Sequence, residues 1–122
     1  MACHGGPDIV EDNLVLYVDA ANSKSYSDGD TTWTDISGNE NNATLVNGVG
    51  YSSNDGGSLT FDGTNDYVSE TSALSDSFLQ GNYSISFWIK FDVISTSTSS
   101  TTDRALLHHG SSSSNAGLHL VN

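Results

Sequence analysis

From Tyr83 to Val93 the chain reads YSISFWIKFDV, with Tyr83, Ile85, Phe87, Ile89, Phe91 and Val93 in one phase and Ser84, Ser86, Trp88, Lys90 and Asp92 in the other. Period two over this length is a β-strand with one apolar face, and its length predicts a central place in a sheet. LVLYVD, Leu14 to Asp19, is apolar enough to be a second strand, covered on both faces. ATLVNGVGY sets Asn47-Gly48 between apolar flanks, which suits a two-residue hairpin turn with positive φ at both positions. SLTF and DYVSE predict another strand pair around the corner Asp62-Gly63-Thr64-Asn65. Arg104–His109 and Gly117–Val121 predict two more strands, joined by the loop GSSSSNA. No segment sustains the i, i+3, i+4, i+7 spacing of an amphipathic helix. Short strands separated by Gly, Asn and Asp turns predict an all-β, antiparallel sandwich.

Composition narrows the function classes. The 122 residues hold three Lys plus Arg against fifteen Asp plus Glu, a formal charge of −12. That surface repels phosphate backbones and anionic membranes, so neither nucleic acid nor membrane insertion is expected. No apolar run approaches the roughly 20 residues that span a bilayer. Twelve of the fifteen acids are Asp, a residue of turns and caps. Cys3 is the single cysteine, so neither an intrachain disulfide nor a cysteine zinc site is expected. The opening MACHGGPDIVEDN has no basic-then-apolar order and is not read as a signal peptide. Residues 1–13 are read as an extended arm and 14–122 as one domain. STSTSSTT, Ser95 to Thr102, is expected to be an exposed loop.

Four ordered blocks, LVLYVDAANSKSY, TTWTDISGNENNATLVNG, GGSLTFDGTNDYV and YSISFWIKFD, carry a family resemblance. Together they resemble the concanavalin A-like, laminin-G-like jelly-roll domain, of the kind found in bacteriophage tail fibres and other virion structural proteins. The resemblance implies a jelly-roll sandwich. Such sandwiches continue for several strands past the position of Asn122, so it also implies a fold incomplete at the C-terminus, finished by further sequence or by partner chains. A half-built sandwich leaves strand edges that assembly would cover.

Several clusters are candidates for chemistry. Asp62, Asn65 and Asp66 offer hard oxygen ligands for calcium, and Asx-turn hydrogen bonding accounts equally for the same corner. Asp28 and Asp30 beside Gly29 pose the same choice, as do Asp35, Asn39, Glu40, Asn41 and Asn42, whose other reading is a solvated loop. Sugar binding needs an aromatic platform with amide or carboxylate partners, for which Trp33, Trp88, Tyr26 and Tyr51 are the candidates. Adjacent His108 and His109 point to opposite faces of a strand and cannot easily share one metal ion. Glu11, Glu40 and Glu70 each stand alone, without the paired carboxylates of a glycanase, and no nucleophile elbow or phosphate loop is present. A non-enzymatic protein is expected, with no cofactor required and calcium as the one ion with a ligand set in view.

Two functions follow. The first is a structural component of a bacteriophage virion: a capsid-decoration, head-fibre or tail-fibre module, made in the host cytoplasm. It would contact other virion proteins and assemble as a homo-oligomer such as a trimer, with Met1–Glu11 as an anchoring arm. The second is a calcium-assisted, lectin-like module that adheres to a host surface glycan.

Overall fold

The computed structural model describes residues 9–70 and 81–91, together with the backbone of 107–109 and 116–118. The chain divides into two compact units, Met1–Ser75 and Asp76–Asn122. The expected anchor, apart from residues 9–11, and the STSTSSTT loop lie outside the described residues.

Among the described residues, the first unit has five short strands and one 3₁₀ turn. They are β1 (Thr32–Trp33), β2 (Ala43–Val46), β3 (Gly50–Ser52), the turn Asn54–Gly56, β4 (Ser58–Thr60) and β5 (Tyr67–Glu70). Strands β1, β2 and β5 form one antiparallel sheet in that order, and β3 and β4 form another. Pairing in the first sheet sets Trp33 opposite Ala43 and Leu45 opposite Val68. In the second, Tyr51 stands opposite Leu59. Along β2 the alternation is explicit, for Ala43 and Leu45 are buried while Thr44 is exposed. In the second unit β6 (Leu107–His109) pairs antiparallel with β7 (Ala116–Leu118), where two strands were expected. Among the described residues there is no α-helix. The chain is all-β and antiparallel.

Two expected pairings are corrected. Asn47 and Gly48 do take positive φ, 67° and 92°, but the strands they join do not pair with each other. Strand β2 pairs with β1 and β5, and β3 pairs with β4, so the Asn47-Gly48 corner carries the chain from one sheet to the other. The corner at Asp62-Asn65 returns it in the same way, from β4 to β5. Turn chemistry fixes a reversal of direction, but not which strand receives the returning chain. The two corners are tied to each other, because the Asn47 side-chain amide donates to the Asn65 carbonyl at 2.7 Å.

Leu14–Asp19, expected as a strand, forms no ladder. Polar side chains take over much of its backbone hydrogen bonding. Asn39 Nδ2 donates to the Leu14 carbonyl at 2.7 Å and Asn41 Nδ2 to the Val15 carbonyl at 2.8 Å. Tyr17 N donates to Asp35 Oδ1 at 2.9 Å, and Asp19 N to Ser25 Oγ at 3.0 Å. One backbone bond, from Ile36 N to the Tyr17 carbonyl, completes the seam.

The long strand expected at Tyr83–Val93 finds no ladder partner among the described residues, and residues 92 and 93 of it lie outside them. The alternation survives in exposure: Ile85, Phe87 and Ile89 are 43–48% exposed, whereas Trp88 is wholly exposed. Periodicity identifies the apolar face of a segment and says nothing of the neighbour that would pair with it.

Among the described residues, the core of the first unit is thin and partly polar. Tyr26, Ala43 and Leu45 are its buried apolar residues, joined by buried Ser25 and Asp35. Ser25 Oγ accepts from Asp19 N and donates to the Thr34 carbonyl at 2.6 Å, so one hydroxyl bridges two segments. Ser25→Ala is therefore expected to cost about 1–3 kcal/mol, the penalty of a buried donor left without its partner. Chemical denaturation checks this as a lower midpoint at unchanged slope.

Candidate functional site

Tyr26 is placed by its neighbours on both sides. Ser25 anchors the backbone before it, and Tyr26 N donates to the Asn22 carbonyl at 2.9 Å. Directly after it, Ser27 to Asp30 close a turn in which Asp30 N donates to the Ser27 carbonyl at 3.0 Å. Gly29 occupies the third position with φ +89°, as a type II turn requires. The turn leaves Asp28 and Asp30 exposed on either side of the glycine. Leu45 N donates to the Thr31 carbonyl at 2.8 Å, fastening the end of this loop to β2.

Tyr51 arrives from β3. Its ring centroid lies 5.3 Å from that of Tyr26 with the planes tilted by 45°, a favourable aromatic geometry. Its hydroxyl reaches Gly57, where an added Cβ would stand 2.7 Å from it and 2.8 Å from the Ala20 carbonyl. Gly57 has φ +127°. The absence of a side chain there lets Tyr51 lie down against the unit.

These elements enclose an open cleft of about 260 Å³. Tyr26, Tyr51, Leu45 and Val49 supply its apolar lining. Asp28, Asp30 and Thr31 supply polar groups, and Gly29, Gly48 and Gly50 expose backbone. Burial raises the Tyr26 hydroxyl above its ordinary pKa, with Asp28 and then Asp30 adding to the rise and the Gly29 amide opposing it. It stays protonated at neutral pH, as a hydrogen-bond donor beside two carboxylates.

The cleft unites four of the candidates read from sequence, Tyr26 and Tyr51 from the sugar set and Asp28 and Asp30 from the metal set. The others lie elsewhere. Trp33 is half-buried on β1, its indole Nε1 buried without a hydrogen-bond partner. Trp88 belongs to the second unit and is fully exposed. In the corner, Asp62 Oδ1 accepts from Thr64 N at 2.7 Å and Asp66 Oδ2 accepts from Asp62 N at 3.0 Å. Asp66 Oδ1 is buried and unpartnered. Among the described residues no three His, Cys, Asp or Glu side chains gather into a metal-holding group. A cation at Asp28 and Asp30 would need backbone carbonyls or water as its other ligands. The residues missed from sequence are Thr31, Leu45 and Val49, whose place in the cleft depends on the crossover at Asn47-Gly48.

Asp35, read as a cation ligand or part of a solvated loop, is neither exposed nor grouped with other acids. Its Oδ1 accepts from Tyr17 N and Ser37 N, and its Oδ2 from Ser37 Oγ and Asn41 N, at 2.8–3.0 Å. Burial opposes its ionisation, but these donors outweigh burial and hold the carboxyl below its ordinary pKa.

Residues 30–114 match the family model described as Clostridium neurotoxin, N-terminal receptor binding. The chain belongs to that family. The matched stretch opens at Asp30, inside the cleft loop, and takes in Thr31, Leu45, Val49 and Tyr51, whereas Tyr26 and Asp28 precede it. Membership in the neurotoxin N-terminal receptor-binding family thus covers both sheets of the first unit and part of the second. Among curated proteins and solved structures, none matches the chain. No helix among the described residues is long and apolar enough to cross a membrane.

Proposed function

We propose that this chain is a non-enzymatic receptor-binding module that recognises a surface carbohydrate in the Tyr26–Tyr51 cleft. The observation that carries the proposal is the meeting, in one open cleft, of the Tyr51 ring, backed by buried Tyr26, with two carboxylates and a threonine. Sugars are bound by stacking their C–H faces on aromatic rings while their hydroxyls bond to carboxylates and backbone groups. The family description, receptor binding, supports a recognition role. On the sequence resemblance, the module adopts a jelly-roll sandwich and is carried on a bacteriophage particle as a fibre or capsid-decoration component. There it assembles with other virion proteins as a homo-oligomer and adheres to the host surface.

The test is a glycan-array screen of the full chain beside Tyr51→Ala and Trp88→Ala, with circular dichroism confirming that each variant folds. Tyr51→Ala is expected to weaken binding about thirtyfold, the ~2 kcal/mol of an interface hot spot. Trp88→Ala is expected to bind as the parent does. Loss of binding in Trp88→Ala with retention in Tyr51→Ala would move the site out of the cleft.

A further inference from the structure

We infer that the cleft selects saccharides carrying a free, protonated amine, and that the Asp28/Asp30 pair makes the selection. The inference rests on the carbohydrate reading above and adds to it the charge of the ligand.

The cleft contains two carboxylates and no Lys, Arg or His. Among the described residues neither the Asp28 nor the Asp30 carboxylate receives a hydrogen bond, so their lone pairs remain available to a ligand. The Ser27–Asp30 turn holds the two on either side of Gly29, in the lining of the cleft. Tyr26 lines the same cleft. Leu45, Val49 and the Tyr51 ring supply apolar lining to the same cleft. An ammonium group has three donors and no acceptor. It matches a pair of unpaired carboxylates through charge-assisted hydrogen bonds, with the electron-rich tyrosine face as a further attraction.

The competing classes fare worse on the same geometry. A uronic or sialic acid would bring its carboxylate against Asp28 and Asp30 with no basic residue to offset the repulsion. A neutral sugar meets no repulsion, but its hydroxyls make weaker hydrogen bonds to the same oxygens. The cleft volume, about 260 Å³, falls just under the roughly 300–1,000 Å³ of drug-sized sites and suits a single sugar ring rather than an extended chain.

The experiment compares three trisaccharides on the full chain by calorimetry at mildly acidic pH. They are a glucosamine trimer with free amines, the same trimer N-acetylated, and a galacturonic acid trimer. The free-amine trimer is expected to bind at least tenfold more tightly than its N-acetylated form, and the uronate trimer not at all. In the Asp28→Asn/Asp30→Asn double variant, whose altered side chains accept no hydrogen bond from any described residue, the tenfold preference is expected to disappear. Equal affinity for the first two trimers, or a preference for the uronate, would overturn the charge selection while leaving carbohydrate binding standing. An amine preference that persists in the double variant would also overturn it, by assigning the attraction to the overall charge of −12. Binding of none of the three would remove the selection and weigh against the carbohydrate reading with it.

Discussion

Asp35→Ala is expected to destabilise the first unit by about 3–5 kcal/mol, the cost of breaking a buried charged network. The carboxylate is 7% exposed and accepts four hydrogen bonds, three of them from backbone amides. Alanine would leave those part-buried amides without their acceptor. The segment around Tyr17 would lose its link to the Asp35–Asn42 loop, where Asp35 N is itself held by Asn42 Oδ1 at 2.9 Å. A folded domain is stable by only about 5–15 kcal/mol in all, and so thin a core has little margin. Asp35→Asn keeps the shape but halves the acceptor capacity, and is expected to cost about 2 kcal/mol. The pH dependence has a definite sign. The folded carboxyl sits below its ordinary pKa of 3.8. Its stabilisation is therefore complete above the unfolded value and is lost as pH falls through the lower, folded one. The gap between the parent chain and Asp35→Asn, measured by urea melts, should be constant above about pH 5 and close in stronger acid. A gap that widened in acid would contradict the assignment.

The second large effect is expected at Gly57. An added Cβ would meet Tyr51 Oη at 2.7 Å, the Ala20 carbonyl at 2.8 Å and Ala21 Cα at 3.0 Å. Two of those atoms are backbone and cannot step aside as a side-chain tip can. The residue also has φ +127°, a conformation that L side chains rarely adopt. Strain and overpacking together predict a loss of about 2–4 kcal/mol for Gly57→Ala. Because Tyr51 must yield, glycan affinity should fall with stability. Gly56→Ala is the control. It shares a positive φ of 96°, but its Cβ would meet only Ala21 Cβ at 3.9 Å. A milder loss of about 1 kcal/mol is expected there, with the cleft intact. Thermal melts of the two variants decide between the two magnitudes, and equal losses would mean that the close approach at Gly57 contributes nothing.

Local chemistry was legible in the sequence where it is set by neighbouring residues. Asn47-Gly48 was readable as a positive-φ corner, and Asp62 as a side chain bonding its own turn, because both depend on a few adjacent atoms. The strands at Leu107–His109 and Ala116–Leu118 were readable in the same way, as two short runs around one loop, though their register was not. Destinations were not legible. Whether β2 turns back on itself or passes to another sheet is decided by what covers Leu45 and Val68, which no window of ten residues contains. The apolar run Leu14–Asp19 has a strand's composition, yet its partners are the side chains of Asp35, Asn39 and Asn41. The aspartates at 28 and 30 could be listed beside Tyr26 from sequence alone, but Tyr51 joins them only through the crossover at Asn47-Gly48. The signal for Asp35 was present in the motif DISGNENN, where Ser and Asn follow at turn spacings and can bond back to a buried acid.

The most direct test of the central claim is to map amide shifts of the isotope-labelled full chain by NMR while it is titrated with the free-amine glucosamine trimer. The account predicts saturable shifts concentrated at Gly29, Thr31, Gly48 and Tyr51, on the rim and floor of one cleft. Shifts gathered instead along Tyr83–Phe91, or none up to millimolar trimer, would contradict it.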